Sequence, residues 1–168
     1  VDHVMGWGKR HPFLAKVPAA AVVINGFGKS VGLLQVNELG VLETPIALTN
    51  TFSVGTVATA QVRTAIAAHP GIARTTTSVN PLVFECSDAY LSDMQALAVT
   101  EGHYASAFAA ASADFARGSV GAGRGMSCFG LKGGIGTASR LAEVAAYGYV
   151  LGALVLANFG KLESLTIA

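Results

Sequence analysis

"GSVGAGRGMSCFGLKGGIGTASR", residues 118–140, contains eight glycines in twenty-three positions. Glycine loses more backbone entropy on folding than any other residue. Such a stretch therefore indicates positive φ angles, close backbone approach, or exposed amides directed at an anion. The P-loop pattern is absent because Lys132 is followed by glycine, and the glycines before it alternate too closely for a dinucleotide-binding fingerprint. The stretch does not favour nucleotide binding.

The composition indicates a chain that does not cover its own surface. The 168 residues are the size of one domain, so we expect a single domain over residues 1–168. Hydrophobic residues make up 52% and charged residues only 12% of the chain. So little charge predicts large faces buried against other chains, or a piece of a larger fold. The net charge of +1 gives no basic field, and nucleic acid is not expected as a partner.

The strongly apolar, uncharged run "VAAYGYVLGALVLANFG" at residues 144–160 is shorter than the roughly 20 residues that span a bilayer, so we predict a buried strand and no membrane segment. The chain does not begin with Met, which indicates a processed, truncated or partial product. Cys86 and Cys128 form no metal-type spacing and fit a reducing compartment, so a cytoplasmic location is expected. The four histidines are too far apart for a local metal motif, and no metal or cofactor is expected.

The pattern along the chain predicts an α+β protein. Residues 19–26 and 30–36 are apolar runs that suggest a hairpin, and residues 44–50 suggest a third strand. Ser53 is the expected start of a helix that ends at Pro70-Gly71, with apolar positions Val54, Val57, Ala58, Val62, Ala65 and Ile66. Further expected elements are a strand at 78–86, a helix at 100–116 capped by Thr100, an extended segment at 127–130 and a long strand that ends at Asn158. Two sheets packed face to face between helical layers would use these elements well.

Four stretches, in this order along the chain, carry a resemblance to the DmpA/BapA family of aminopeptidases and amidases. They are "VPAAAVVINGFGKSVGLLQVNELGVLETPIALTNTFSVGT" at 17–56, "ECSDAYLSD" at 85–93, the glycine-rich stretch at 118–140 and "ANFG" at 157–160. The resemblance implies an N-terminal-nucleophile-type hydrolase with an αββα sandwich. Such a precursor cuts itself before a Ser or Thr, and the new N-terminal residue of the smaller β chain is the nucleophile. This chain resembles the α portion only, so a β chain from the same precursor is the expected partner.

The resemblance also implies roles for three residues. Asn158 in "ANFG" stands where the family's asparagine donates to the oxyanion, and its alternative role is that of an asparagine ending a strand at a turn. Glu85 stands where the family has an acidic residue near the substrate amino group, and its alternative is a loop salt bridge. Ser87 replaces the asparagine that is usual in this loop, so recognition of the amino group is expected to differ. Asp88 is expected to stabilise the turn.

A tyrosine and two glycines complete the expected site. The family's tyrosine near the oxyanion falls by spacing close to Ala98, so Tyr90 is a stand-in whose alternative is packing of the loop on the core. Gly121 and Gly123 either line the substrate cleft or only permit tight strand crossings. Arg124, which directly follows Gly123, is expected to pair with a carboxylate or to face solvent.

The leading functional hypothesis is amide or peptide hydrolysis by acyl transfer, on a small peptide or a non-peptide amide such as a pantetheine-type substrate. The low charge also predicts that several αβ units associate. The competing hypothesis is a non-catalytic assembly or binding protein that retains the scaffold, since fold likeness alone does not carry function.

Overall fold

The computed structural model describes residues 3–5, 13–24, 26–144 and 147–167, and within them it is an α+β fold. Short 3₁₀ turns at Thr51–Ser53, Met94–Ala96, Gly121–Gly123 and Leu162–Ser164 connect the main elements. The helices are α1 (Leu33–Leu39), α2 (Val54–Ala68) and α3 (Glu101–Ala109). The strands are β1 (His3–Met5), β2 (Val17–Pro18), β3 (Val41–Leu42), β4 (Ile46–Asn50), β5 (Leu82–Cys86), β6 (Ser127–Cys128), β7 (Leu131–Lys132), β8 (Gly134–Val144) and β9 (Tyr147–Ala157).

A β4–α2–β5 unit forms the centre of the described fold. β4 pairs with β5 in parallel and with β1 antiparallel, so the sheet order is β1-β4-β5. Parallel neighbours need a crossover connection, and α2 supplies it. Ala47 and Val83 of the sheet, Val57 and Ala60 of α2, and Tyr104 of α3 form one buried cluster. The carboxyl ends of β4 and β5 therefore open side by side at one edge of the sheet.

The face that α2 buries differs partly from the prediction. Val54, Val57 and Ala65 are buried as expected, but Ile66 is exposed. The polar Gln61 is buried instead, because its side chain bonds the backbone of the two strands beneath it. Its Nε2 donates to the carbonyl oxygens of Pro45 and Leu82, at 2.8 and 3.2 Å, and its Oε1 accepts from the Leu82 N–H at 2.8 Å.

The hairpin predicted for residues 19–26 and 30–36 is wrong. Gly32 takes a left-handed conformation with φ of 91°, and helix α1 begins after it. A Cβ on Gly32 would lie 2.2 Å from the Pro81 carbonyl oxygen, so this start requires glycine. Leu33 and Val36 then face Leu82 in a second core cluster. Residues 19–24 form no strand, and the error arose because a short apolar run does not distinguish a helix from a strand.

The other predicted elements are present, several with shorter bounds: the strand predicted at 44–50 begins at Ile46, and the segment predicted at 127–130 is a strand only at Ser127–Cys128. β4 and α2 lie where expected, although the helix entry is fastened by Asn50, whose Oδ1 accepts from the Ser53 N–H at 3.1 Å. β5 begins only after Pro81, and α3 ends at Ala109 instead of 116. Thr100 caps α3 as predicted, in a capping box with His103.

The hairpin β8–β9 confirms the long apolar strand but not its burial. Val150 is 72% exposed and its neighbour Leu151 is 68% exposed. Successive side chains of a strand point to opposite faces, so apolar groups on both faces are left uncovered by the described part of the chain. No helix among the described residues is long and apolar enough to cross a membrane.

Candidate functional site

The end of β5 holds Glu85 in a bonded position. Its half-buried carboxylate accepts the Lys29 backbone N–H through Oε1, at 2.9 Å, and the Thr51 hydroxyl through Oε2. Thr51 directly follows β4, whose Thr49 is the registered partner of Glu85, so the parallel pairing brings the two side chains together. The ammonium group of Lys29 lies over the Phe27 ring instead. Glu85 therefore forms no salt bridge with another described residue, although a loop salt bridge was the alternative role expected for it.

Asn158 follows β9 and is fixed at both ends of its amide. The Ser127 N–H donates to its Oδ1 at 2.9 Å, and its Nδ2 donates to the Ser87 carbonyl oxygen at 2.8 Å. Asn158 thus joins the glycine-rich stretch to the loop that follows Glu85. An amide nitrogen carries two hydrogens, so one remains for a further acceptor.

Ser87 and Tyr90, in the loop after β5, are both exposed but differ in their contacts. Ser87 is exposed, and it is its backbone carbonyl that contacts Asn158. Tyr90 is 83% exposed, so its ring does not pack the loop on the described core. Both side chains are open to a substrate or to a part of the protein outside this chain.

The glycine-rich stretch forms one wall of a pocket of about 80 Å³. Gly121, Arg124 and Gly125 lie on this wall, opposite the ends of β4 and β5. A Cβ on Gly125 would lie 2.4 Å from the Cβ of Asp88, so the close approach requires glycine. Gly123 is different, because a Cβ there would meet the Gly118 carbonyl oxygen at 2.6 Å. The structure thus contains both a pocket wall and a tight crossing. Arg124 is exposed and forms no ion pair with another described residue.

Asp88 does more than the turn role expected of it. Its backbone oxygen accepts from Leu91 and Ser92, which is the turn, but its side chain is only 9% exposed and lines the pocket. Oδ2 accepts from the Asn50 amide at 3.2 Å, and Oδ1 has no hydrogen-bond partner among the described residues. The available signal was its position three residues beyond Glu85, at a buried strand end.

The Cys86 thiol, in the last residue of β5, is held in its neutral form. Burial, with the nearby charge of Glu85, raises the pKa of Cys86 to about 11, and its Sγ lies 3.8 Å from the Leu156 carbonyl oxygen. Among the described residues, no three His, Cys, Asp or Glu side chains lie close enough together to hold a metal ion. His11 lies outside the described residues.

The raised pKa of Cys86 predicts slow alkylation. In a Cys128→Ser variant, we expect iodoacetamide at pH 8 to modify folded Cys86 roughly a hundredfold more slowly than the urea-unfolded chain, because the thiolate fraction falls tenfold for each unit of pKa. Mass spectrometry of timed samples measures both rates. Equal rates in the folded and unfolded chains would show that the thiol is neither desolvated nor shielded.

The chain is similar to known proteins over most of its length. A model of peptidase family S58 matches residues 7–168. Beta-peptidyl aminopeptidase BapA of Sphingosinicella microcystinivorans is 40% identical over 146 residues, which are 86% of this chain and 36% of that protein. BapA of Sphingosinicella xenopeptidilytica is 37% identical over 153 residues, which are 90% of this chain and 38% of that protein.

Three solved structures are also similar. The PH0078 protein from Pyrococcus horikoshii OT3 has 49% identity and a TM-score of 0.93, over 95% of this chain and 45% of that one. A Burkholderia sp. beta-aminopeptidase has 43% identity and a TM-score of 0.84, over 90% of this chain and 42% of that one. The third is the L-aminopeptidase D-Ala-esterase/amidase from Ochrobactrum anthropi, described as a variant of the Ntn hydrolase fold. It has 34% identity and a TM-score of 0.84, over 90% of this chain and 43% of that one. The predicted α+β, αββα class is confirmed, and the chain spans less than half the length of each of these relatives.

Proposed function

Because the chain belongs to peptidase family S58, we propose that it is most of the α chain of a self-processing aminopeptidase or amidase, folded as one domain over residues 1–168. The observation that carries this proposal is the fixed amide of Asn158, which retains one hydrogen beside the end of β5. The names of two of these relatives, a beta-peptidyl aminopeptidase and an L-aminopeptidase, support hydrolysis of an amide bond next to a free amino group.

In the proposed reaction, a Ser or Thr at the N-terminus of the β chain attacks the substrate carbonyl carbon. Its own α-amino group, whose pKa is near neutrality, accepts the hydroxyl proton. The carbonyl oxygen becomes an oxyanion, and Asn158 donates its remaining Nδ2 hydrogen to it. Collapse of this intermediate expels the amine, which takes the proton, and water then hydrolyses the ester.

Glu85 supports binding of the substrate's amino group. Each carboxylate oxygen can accept more than one hydrogen bond, so the contacts with Lys29 and Thr51 fix the group without exhausting it. Ser87 and Tyr90 lie exposed beside it, and Gly121 lines the adjoining pocket. Gly123 lies behind that wall, where the absence of a side chain permits the close approach of the residue 118 carbonyl. The shorter Ser87 side chain, in place of asparagine, favours substrates with a different amino group or with none, such as a pantetheine-type amide.

The exposed faces of β8–β9 support a β-chain partner. Apolar side chains on both faces need cover, and relatives more than twice as long provide the material for it. We therefore place the β chain against this hairpin and expect αβ units to associate further. The cytoplasmic location stays a prediction from the cysteine pattern.

Self-processing is tested on the full-length gene product by intact-mass spectrometry and N-terminal sequencing. We expect two polypeptides, the smaller beginning with Ser or Thr, because the proposed nucleophile needs a free α-amino group. Activity on small aminoacyl and pantetheine-type amides then distinguishes the substrate classes. A single chain that stays uncut on incubation would instead favour the non-catalytic binding protein.

A further inference from the structure

The ammonium group of Lys132 is held by three backbone carbonyls. Its Nζ donates to the oxygens of Gly123 and Gly133, both at 2.8 Å, and of Met126 at 3.0 Å. An ammonium has three hydrogens, so these contacts use its full donor capacity. Lys132 is also the registered partner of Ser127 across the β6–β7 pair, which fixes the origin of its side chain.

One of these carbonyls begins a continuous line of hydrogen bonds to the proposed oxyanion donor. The Met126 carbonyl accepts from Lys132, and the other end of the same peptide unit, the Ser127 N–H, donates to Asn158 Oδ1 at 2.9 Å. The Asn158 Nδ2 in turn donates to the Ser87 carbonyl oxygen. The line therefore runs from a positive charge, through one peptide and one carboxamide, to the loop that directly follows β5 and Glu85.

Hydrogen bonds in such a line polarise one another. A cation on the Met126 carbonyl withdraws electron density from the peptide, which makes the Ser127 N–H a stronger donor. That bond withdraws density from the Asn158 carboxamide and makes its Nδ2 hydrogens stronger donors as well. A transition state that builds charge on an oxyanion gains more from this than the neutral ground-state carbonyl does.

We propose that Lys132 is a positioning residue for the oxyanion donor, acting on Asn158 through the Met126–Ser127 peptide. This inference rests on the function proposed above. The glycine-rich stretch does not match a nucleotide-binding motif, and the inference gives its lysine a different role. Lys132 touches no substrate and acts only through Asn158.

The test is a double-mutant cycle in the full-length protein, on the processed fraction confirmed by mass spectrometry. Lys132→Met is expected to lower kcat about tenfold with little change in KM, because only the transition-state contact weakens. In an Asn158→Ala background, the same substitution should cause no further loss of kcat, since the residue through which it acts is gone. Lys132→Gln, which keeps a donor without the charge, runs the same cycle if Lys132→Met does not fold.

Lys161→Met is the matched control, since Lys161 is exposed, lies three residues after Asn158 and makes no side-chain hydrogen bond or ion pair within the described part of the chain. We expect its kcat to equal that of the unaltered protein. Losses that multiply in the double variant, or a lowered melting temperature with unchanged kcat, would make Lys132 purely structural and overturn the inference alone. An unchanged kcat in Asn158→Ala would remove the oxyanion assignment itself.

Discussion

Asn158→Ala is expected to lower kcat on a small amide substrate by about 10²- to 10³-fold, the range found when one oxyanion donor is removed. The side chain is fixed by the Ser127 N–H and the Ser87 carbonyl, so its remaining hydrogen is preorganised for a developing negative charge. KM should change little, because the contact strengthens in the transition state. Steady-state kinetics of the full-length, processed protein measure both parameters.

Two variants separate this role from that of a turn residue. Asn158→Asp keeps an acceptor for the Ser127 N–H but replaces the donor by a negative charge, so its kcat should fall at least as far. Asn37→Ala, at an exposed position of α1, should leave kcat unchanged. A lower thermal stability of Asn158→Ala, with normal kcat, would indicate that the residue only ends the strand.

Much of the α/β arrangement was predictable from local signals. β4 and α2 follow from apolar runs bounded by Pro45 and by Pro70-Gly71, and α3 follows from the cap at Thr100. The start of α1 was not predictable, because it depends on the approach of Gly32 to the Pro81 carbonyl, 49 positions away along the chain. The exposure of β9 was also hidden, because periodicity identifies an apolar strand but not what covers it.

In the candidate site, too, local motifs were predictable from the sequence, and contacts between distant parts of the chain were not. Glu85 and Asn158 were predicted from the motifs around them, and the structure links Asn158 to the loop after β5 through the Ser87 carbonyl. Asp88 was assigned only to a turn, since its burial depends on Gly125 from a distant stretch. The contacts of Lys132 with three carbonyls could not be read from the sequence, because backbone acceptors carry no residue-type signal.

Gln61→Leu is expected to lower the free energy of unfolding by about 3–5 kcal/mol, a large part of the 5–15 kcal/mol that is typical of whole proteins. The side chain is 2% exposed, and leucine is of similar volume, so the packing survives. The hydrogen bonds do not, because the Pro45 carbonyl and both backbone groups of Leu82 lose a buried partner. Urea denaturation of the full-length protein measures the loss.

Gln95→Leu is the matched control for this variant, because Gln95 is exposed in a turn and its substitution should change stability by less than about 0.5 kcal/mol.

The Gln61 substitution should also weaken substrate binding at the candidate site. Leu82 begins β5, and β5 carries Glu85 to its bonds with Lys29 and Thr51. We therefore expect weaker substrate binding in Gln61→Leu under conditions in which it remains folded. A loss below 1 kcal/mol, with an unchanged denaturant slope, would mean that the strand backbone does not depend on Gln61.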